Sequence, residues 1–311
     1  MEGLKRSLLM ADNLYADYAL KPPFRLVRTV RPGRACSFIS YGEVQEQGKW
    51  RPVVLKTYHK INDTTVTRAA QRTYREVQVL AALQSSPDRC ENINDFLGVL
   101  FADSTLVKEA VPGIPSIITD FVQHDSLEYT QGRGFGVRLK IVQQLANGLS
   151  HMHSLGLVHG DLKPDNFRVT DDGVVKIIDF GLSRYQTPEH TGLTTLILPC
   201  YRFIAPELIL PEMDSVSMFV TRASDVYAFS MTALQVLDGQ GYHKSIPFNH
   251  CKVPFAVRLA VVQNQWPQMQ NYAGVIPEVW AIISACWTSN ASIRPSIDAL
   301  LKDLSGIPLP M

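Results

Sequence analysis

The sequence predicts an α+β fold, and three of its features carry that prediction. Short strand-like runs fall in the first 180 residues: VVLK at 53–56, SIITDFV at 116–122, and a pair at 167–169 and 174–178 around the turn Asp171-Asp172-Gly173. Two longer segments repeat their apolar residues at helical spacing instead. The run VYAFSMTALQVL, directly after Asp225, is apolar on every face, which marks a central buried helix.

Taken in chain order, the first twenty residues lack the long apolar core and small-residue cleavage site of a secretory signal, so they read as a short helix or a flexible extension. Residues 67–83 form a helix with Val77, Leu80 and Ala81 on one stripe, and Asn62 and Asp63 are its start signals. Residues 116–122 form a buried strand. Val137, Ile141, Leu145, Leu149 and Met152 mark the buried stripe of a second helix. Its His151 and His153 stand at i and i+2, on different faces, so they are ordinary helix-end residues and not a metal pair. The residues from Leu210 to Thr221 read as a surface loop ahead of the central helix, which is itself too short and too interrupted to span a membrane.

Between these elements lies the chemistry. HGDLKPDNF at 159–167 is followed by DFG at 179–181. Phosphoryl transfer from a nucleotide requires a nucleophile held in line and cations that neutralise the phosphates. Asp161 is placed to accept the proton of an attacking hydroxyl, and Lys163 to stabilise the transferring group. Asn166 and Asp179 are hard oxygen donors suited to Mg2+. The 167–178 hairpin returns Asn166 and Asp179 to one end.

These motifs resemble the eukaryotic-type protein kinase catalytic domain over residues 25–305, after an extension at 1–24. The resemblance implies a two-lobed fold. A small antiparallel sheet with one key helix would span about 25–121, and a larger, mainly helical lobe about 122–305. It further implies ATP and Mg2+ as cofactors and a protein as substrate. Lys56 would pair the α and β phosphates, with Glu76 as its partner on the helix. Thr119 would stand beside the adenine, whose edge would meet the backbone carbonyl of Asp120 and the backbone of Val122. Ala205-Pro206-Glu207, Cys286-Trp287 and Arg294-Pro295 resemble the tyrosine-kinase-like group, in which Glu207 and Arg294 would form a structural pair. Asp225 would anchor the backbone of the catalytic loop, and His159 would orient that loop beneath DFG.

The chain also departs from the family. Of the glycine-rich loop only Gly33 remains, followed by Phe38 on the nucleotide side, and glycines are what let a backbone approach phosphates closely. Val54 and Arg168 replace the usual alanine and leucine on either side of the adenine, and Arg168 must reach solvent or a partner. Gly160 replaces the arginine that reads a phosphate on the activation segment, which implies activity independent of phosphorylation at Thr191, Thr194 or Thr195. Cys200 stands where Ser/Thr kinases keep a threonine, whereas Lys163 favours Ser/Thr over tyrosine.

Composition bounds the rest. A chain of 311 residues, 46% hydrophobic, holds one such domain and little else. A net charge of +1 without a basic run gives nucleic-acid binding no electrostatic support. Five cysteines without a close pair fit a reducing compartment, hence a cytoplasmic protein, with the nucleus left open. Nothing in the sequence fixes an oligomeric state. The leading reading is an ATP-dependent protein kinase acting on Ser/Thr hydroxyls, with Tyr hydroxyls left open. A pseudokinase scaffold is the alternative, favoured by the eroded loop, Val54, Arg168 and Cys200. A small-molecule kinase is a third, which the APE and CW…RP motifs oppose.

Overall fold

A computed structural model describes residues 14–21, 23–30, 37–58, 63–101, 111, 113–186, 201–209 and 220–308. The chain divides into two compact units, one comprising 1–89, 94–121 and 180–182, the other 90–93, 122–179 and 183–311.

The first unit is built on a five-stranded antiparallel sheet in the order β1-β2-β3-β5-β4, with β1 at Phe24–Val30, β2 at Ser37–Glu46, β3 at Lys49–Tyr58, β4 at Phe96–Leu100 and β5 at Ser116–Asp120. Gln47 and Gly48 turn β2 into β3, both at positive φ, as a tight right-twisted hairpin requires. Period-two alternation separates the two faces of β3. Val53 and Leu55 point to one, where they pack with Val44 and Ile118 and are covered by Leu20, Phe24, Leu97 and Leu100. The chain ahead of β1 is tied into this layer, since Leu20 donates to Val99 O at 2.9 Å and Val99 to Tyr18 O at 2.8 Å. Val54 and Lys56 take the other face, towards helix α1 at Asp63–Ser85. That helix runs beyond the 67–83 read from periodicity, and it buries Val77, Leu80 and Ala81 as that stripe requires.

The second unit is mainly helical. Helices α2 (Ser126–Thr130), α3 (Phe135–Ser154), α4 (Pro206–Ile209), α5 (Arg222–Asp238), α6 (Tyr242–Ser245), α7 (Pro254–Val262), α8 (Pro277–Ser284) and α9 (Ile297–Ser305) accompany the short strands β6 (His124–Asp125), β7 (Leu157–Val158), β8 (Phe167–Val169), β9 (Val175–Ile177) and β10 (Arg184–Tyr185). At the centre is α5, every residue of which from Ser224 to Asp238 is buried. A capping box between Thr221 and Ser224 begins it, and Gly239 in the left-handed region ends it. Against it lies α3, which carries α9 on another side. The α3 stripe holds at Ile141, Leu145, Leu149 and Met152, but Val137 in the first turn is 37% exposed. Gly148, deep in that helix, packs directly on Ile177 and Asn92, leaving no room for a Cβ.

Candidate active site

In the first unit, β3 and α1 build an ion pair. Lys56 Nζ lies 2.9 Å from both carboxylate oxygens of Glu76. Tyr58 Oη donates to the same carboxylate at 2.9 Å. Glu76 is 3% exposed and Lys56 14%, so the pair is largely withdrawn from water, and two donors on one carboxylate are what make such burial tolerable. The cross-strand register then assigns neighbours. Ile39 on β2 and Ile117 on β5 lie opposite Lys56, and Tyr41 and Thr119 lie opposite Val54. Residues directly opposite share a face. Phe38 lies opposite Thr57 and so faces away from Lys56. Phe38, expected on the nucleotide side, thus lies on the β2 face away from Lys56, and Ile39 shares the Lys56 face, because Phe38 belongs to a strand and its face follows from strand pairing.

At the end of β5, Asp120 is held by its side chain and by its main chain. Arg51 grips its carboxylate through Nε at 3.0 Å and Nη2 at 2.7 Å. This carboxylate hydrogen bond, opposed by burial, raises the affinity of the Arg51 guanidinium for its proton. The Asp120 N–H donates to Asp95 O at 3.0 Å, and Asn94 Nδ2 donates to the Asp120 carbonyl at 3.0 Å. Neither Arg51 nor Asn94 carries a motif signal; only the fold brings them to this strand end.

In the second unit, Asp225 at the start of α5 holds the loop at 159–161 by its backbone. Its carboxylate accepts from the N–H of His159 at 2.7 Å and of Gly160 at 2.8 Å. His153 Nε2 joins it at 3.0 Å, and His153 is 6% exposed. The reading of His153 as an ordinary helix-end residue is thus corrected, whereas His151 remains outside this cluster. Gly160 has φ +79°, a left-handed conformation that glycine adopts without a Cβ clash.

On this anchored loop, Asp161 Oδ2 receives Lys163 Nζ at 2.5 Å and Asn166 Nδ2 at 2.9 Å. Burial opposes the charge on Lys163, but attraction to Asp161 outweighs it, with help from Asp179 and Asp165, and its pKa is raised. Asn166 spends its amide nitrogen on Asp161, on the backbone carbonyl at 2.6 Å as well as the carboxylate, which leaves its amide oxygen as the acceptor. The β8–β9 hairpin pairs Phe167 with Ile177, and Ile178 N donates to Asn166 O at 2.9 Å. Asn166 and the start of DFG thus meet at one end of the hairpin. His159, fully buried, places Nε2 3.3 Å from the Ile178 carbonyl, directly ahead of Asp179. Asp179 is exposed and adopts φ +59°, a strained conformation for a residue with a Cβ.

The remaining sequence candidates are placed as follows. Arg168 is half-buried on β8, opposite Asp125 and Lys176, and its guanidinium has no polar partner among the described residues. Val122 is buried, and its backbone N–H and C=O are unpartnered among the described residues. Gly33, Cys200, Thr191, Thr194 and Thr195 lie outside the described residues. Glu207 and Arg294 form a two-pronged pair at 2.7 Å on each prong, with the Arg294 side chain fully buried and also donating to Ala223 O and Thr288 O. Among the described residues no group of three or more His, Cys, Asp or Glu is arranged to hold a metal ion, and no helix is long and apolar enough to cross a membrane.

The sequence is similar to known proteins along most of its length. Over 273 residues it is 25% identical to a probable serine/threonine-protein kinase of Dictyostelium discoideum, which covers 86% of this chain but only 18% of that protein. It is 30% identical over 191 residues to the MAP kinase kinase kinase mkh1 of Schizosaccharomyces pombe, 57% of this chain and 16% of that protein. It is 39% identical over 155 residues to the cell division control protein 2 homolog 3 of Trypanosoma brucei brucei, 48% of this chain and 45% of that protein. The chain thus spans less than a fifth of the Dictyostelium and fission-yeast relatives. Residues 33–304 match the family model for protein tyrosine and serine/threonine kinases, so a lysine–glutamate pair joining a five-stranded sheet to its helix and an aspartate loop hung from a buried helix are here the parts of one family: this chain belongs to the protein kinases.

Proposed function

We propose that this protein transfers the γ-phosphate of ATP, with Mg2+, to serine or threonine hydroxyls of protein substrates. The observation that carries this reading is the state of Asp161. Its carboxylate is oriented by Lys163 and Asn166, on a loop whose backbone hangs from Asp225. A base held from several sides is already in position when a substrate hydroxyl arrives, and positioning accounts for much of phosphoryl-transfer catalysis. Asn166 and Asp179 offer the oxygen donors that Mg2+ prefers, and the bound cation would neutralise charge on the phosphates. Lys56, fixed by Glu76, would hold the α and β phosphates. Serine and threonine are preferred to tyrosine because Lys163 stands two residues after Asp161, and because several relatives, the Dictyostelium one among them, are named serine/threonine-protein kinases.

The scaffold reading has one observation in its favour: Arg168, which by resemblance stands at the position that floors the base, keeps a half-buried guanidinium with no polar partner among the described residues, where the family usually has an apolar side chain. One experiment separates the two. Phosphoryl transfer from Mg-ATP to a generic protein substrate is measured for the wild type and for Asp161→Asn. Transfer by the wild type, reduced at least ~10³-fold in the variant, supports the enzyme. A thermal shift with ATP in both proteins but transfer by neither supports the scaffold.

A further inference from the structure

Tyr58 belongs to none of the motifs, yet it joins the sheet of the first unit to α1 beside the Lys56–Glu76 pair. It ends β3, two positions after Lys56, so the alternation of a strand puts both side chains on one face. Its ring is buried in one cluster with Ala69, Val111 and Ile114, against which Ala70 packs. Its hydroxyl donates to Glu76 Oε2 at 2.9 Å, seven positions beyond Ala69 on the same helix. Seven residues are about two turns, so Ala69 and Glu76 lie on one side of α1. A single side chain of the strand thus meets the helix at two levels. Lys56 Nζ completes the cluster, 2.9 Å from both Glu76 oxygens and 5.4 Å from the centre of the Tyr58 ring. Packing alone would be served as well by phenylalanine, so the hydroxyl calls for a reason of its own.

We infer that Tyr58 is a positioning residue for phosphoryl transfer: its hydroxyl holds the Glu76 carboxylate in the orientation that presents both oxygens to Lys56, and so keeps Lys56 in place for the phosphates. The inference rests on the nucleotide reading above, in which Lys56 holds the α and β phosphates. The lysine cannot set this orientation by itself. An ammonium is a compact charge with rotating donors on a flexible stem, and it receives a carboxylate from many directions. Glutamate adds rotatable bonds of its own, whose freedom must be removed before the pair has one geometry. The Tyr58 ring is locked by its burial, and its O–H bond favours an acceptor along one line. The hydroxyl is also neutral and independent of Lys56. The buried carboxylate therefore keeps a donor when the ammonium turns towards a phosphate, and it is not left uncompensated at that moment.

The test follows Lys56 itself. The full chain, without nucleotide, is treated with the amine-acylating reagent N-hydroxysuccinimidyl acetate. Mass spectrometry reads the labelling rates of Lys56 and of Lys49, which is exposed at the start of the same strand and serves as the internal reference. The ratio of the two rates reports how often the Lys56–Glu76 pair opens. In Tyr58→Phe, which keeps the ring, the ratio rises about tenfold, the equivalent of one hydrogen bond to a charged group, and kcat with Mg-ATP falls by a similar factor. A hydroxyl with a merely structural role would lower the melting temperature and leave the ratio as it was, and an unchanged ratio overturns the inference. So does a raised ratio with unaltered kcat. If the wild type transfers no phosphate while the ratio rises in the variant, Tyr58 still positions Lys56, and it is the kinase reading that fails.

Discussion

Arg294 carries the clearest energetic statement that one side chain makes in this protein. Its guanidinium is fully buried and is neutralised by Glu207, which is 29% exposed. Removing one partner leaves a charge uncompensated in the interior, which costs about 3–5 kcal/mol for a fully buried pair. The partial exposure of Glu207, together with the carbonyls of Ala223 and Thr288 that Arg294 keeps, places Glu207→Gln near the low end of that range. At ~2–4 °C per kcal/mol for a domain of this size, its melting temperature falls by roughly 6–12 °C. Adding Arg294→Met to Glu207→Leu recovers part of the loss, since an apolar pair needs no compensation; a double variant no better than Glu207→Gln would refute the account. Gly160 makes a second statement at this scale. Its φ of +79° suits glycine, and no guanidinium is available there to receive a phosphate. A protein with Thr191, Thr194 and Thr195 all changed to alanine accordingly keeps most of its transferase activity, and loss of most of it contradicts independence from phosphorylation.

Among the elements, α1 is the one whose function depends on a single contact. Lys56 and Glu76 are twenty positions apart and meet through two oxygens. Glu76→Gln keeps an acceptor for Tyr58 but removes the charge that fixes Lys56. If Lys56 holds the phosphates as proposed, its misplacement by about an ångström lowers transfer ~10²-fold, while the melting temperature changes much less. Unchanged turnover and ATP affinity in this variant would show that α1 does not position the lysine. The same scale explains what the sequence could reveal. The α1 stripe, the hairpin ends around Asp171-Asp172-Gly173 and the all-apolar α5 are written in local periodicity and turn chemistry, so they are legible without a structure. The face of Phe38 is not, because it follows from register against β3 and reverses with a shift of one residue. His153 and Asp225 lie 72 positions apart, and Asn94 reaches a carbonyl 26 positions away. Neither contact leaves a spacing that a linear reading can find. Val137 fits its helical stripe by count, but it lies in the first turn of α3, where that face meets solvent.

For the whole molecule, one pH dependence follows from groups distributed through it. Burial pushes the Cys286 thiol up to about 12, against the smaller opposing influence of Arg294. Burial likewise raises Tyr272 to about 12 and raises Tyr227 further, while the carboxylates around Lys163 outweigh its burial and raise it as well. In each case the folded state keeps its proton to a higher pH than the unfolded chain does. The stability these groups contribute is therefore complete below their unfolded pKa values, about 9 for the thiol and about 10 for the phenols and Lys163, and is lost as pH rises towards the folded values. Each such group removes about 1.4 kcal/mol per pH unit once its unfolded form has ionised. The melting temperature should hold level between pH 7 and 9 and then fall steeply to pH 11, followed by circular dichroism in one buffer series. Burial also raises the Cys90 and Cys251 thiols, so Cys286→Ala leaves the onset in place but removes a large part of the loss, and its melting temperature should fall less steeply above pH 9 than that of the wild type. A wild-type melting temperature that stays flat to pH 11 would mean that these side chains are reached by water in the folded protein, and the buried centre of the helical unit would have to be redrawn around α5 and its neighbours.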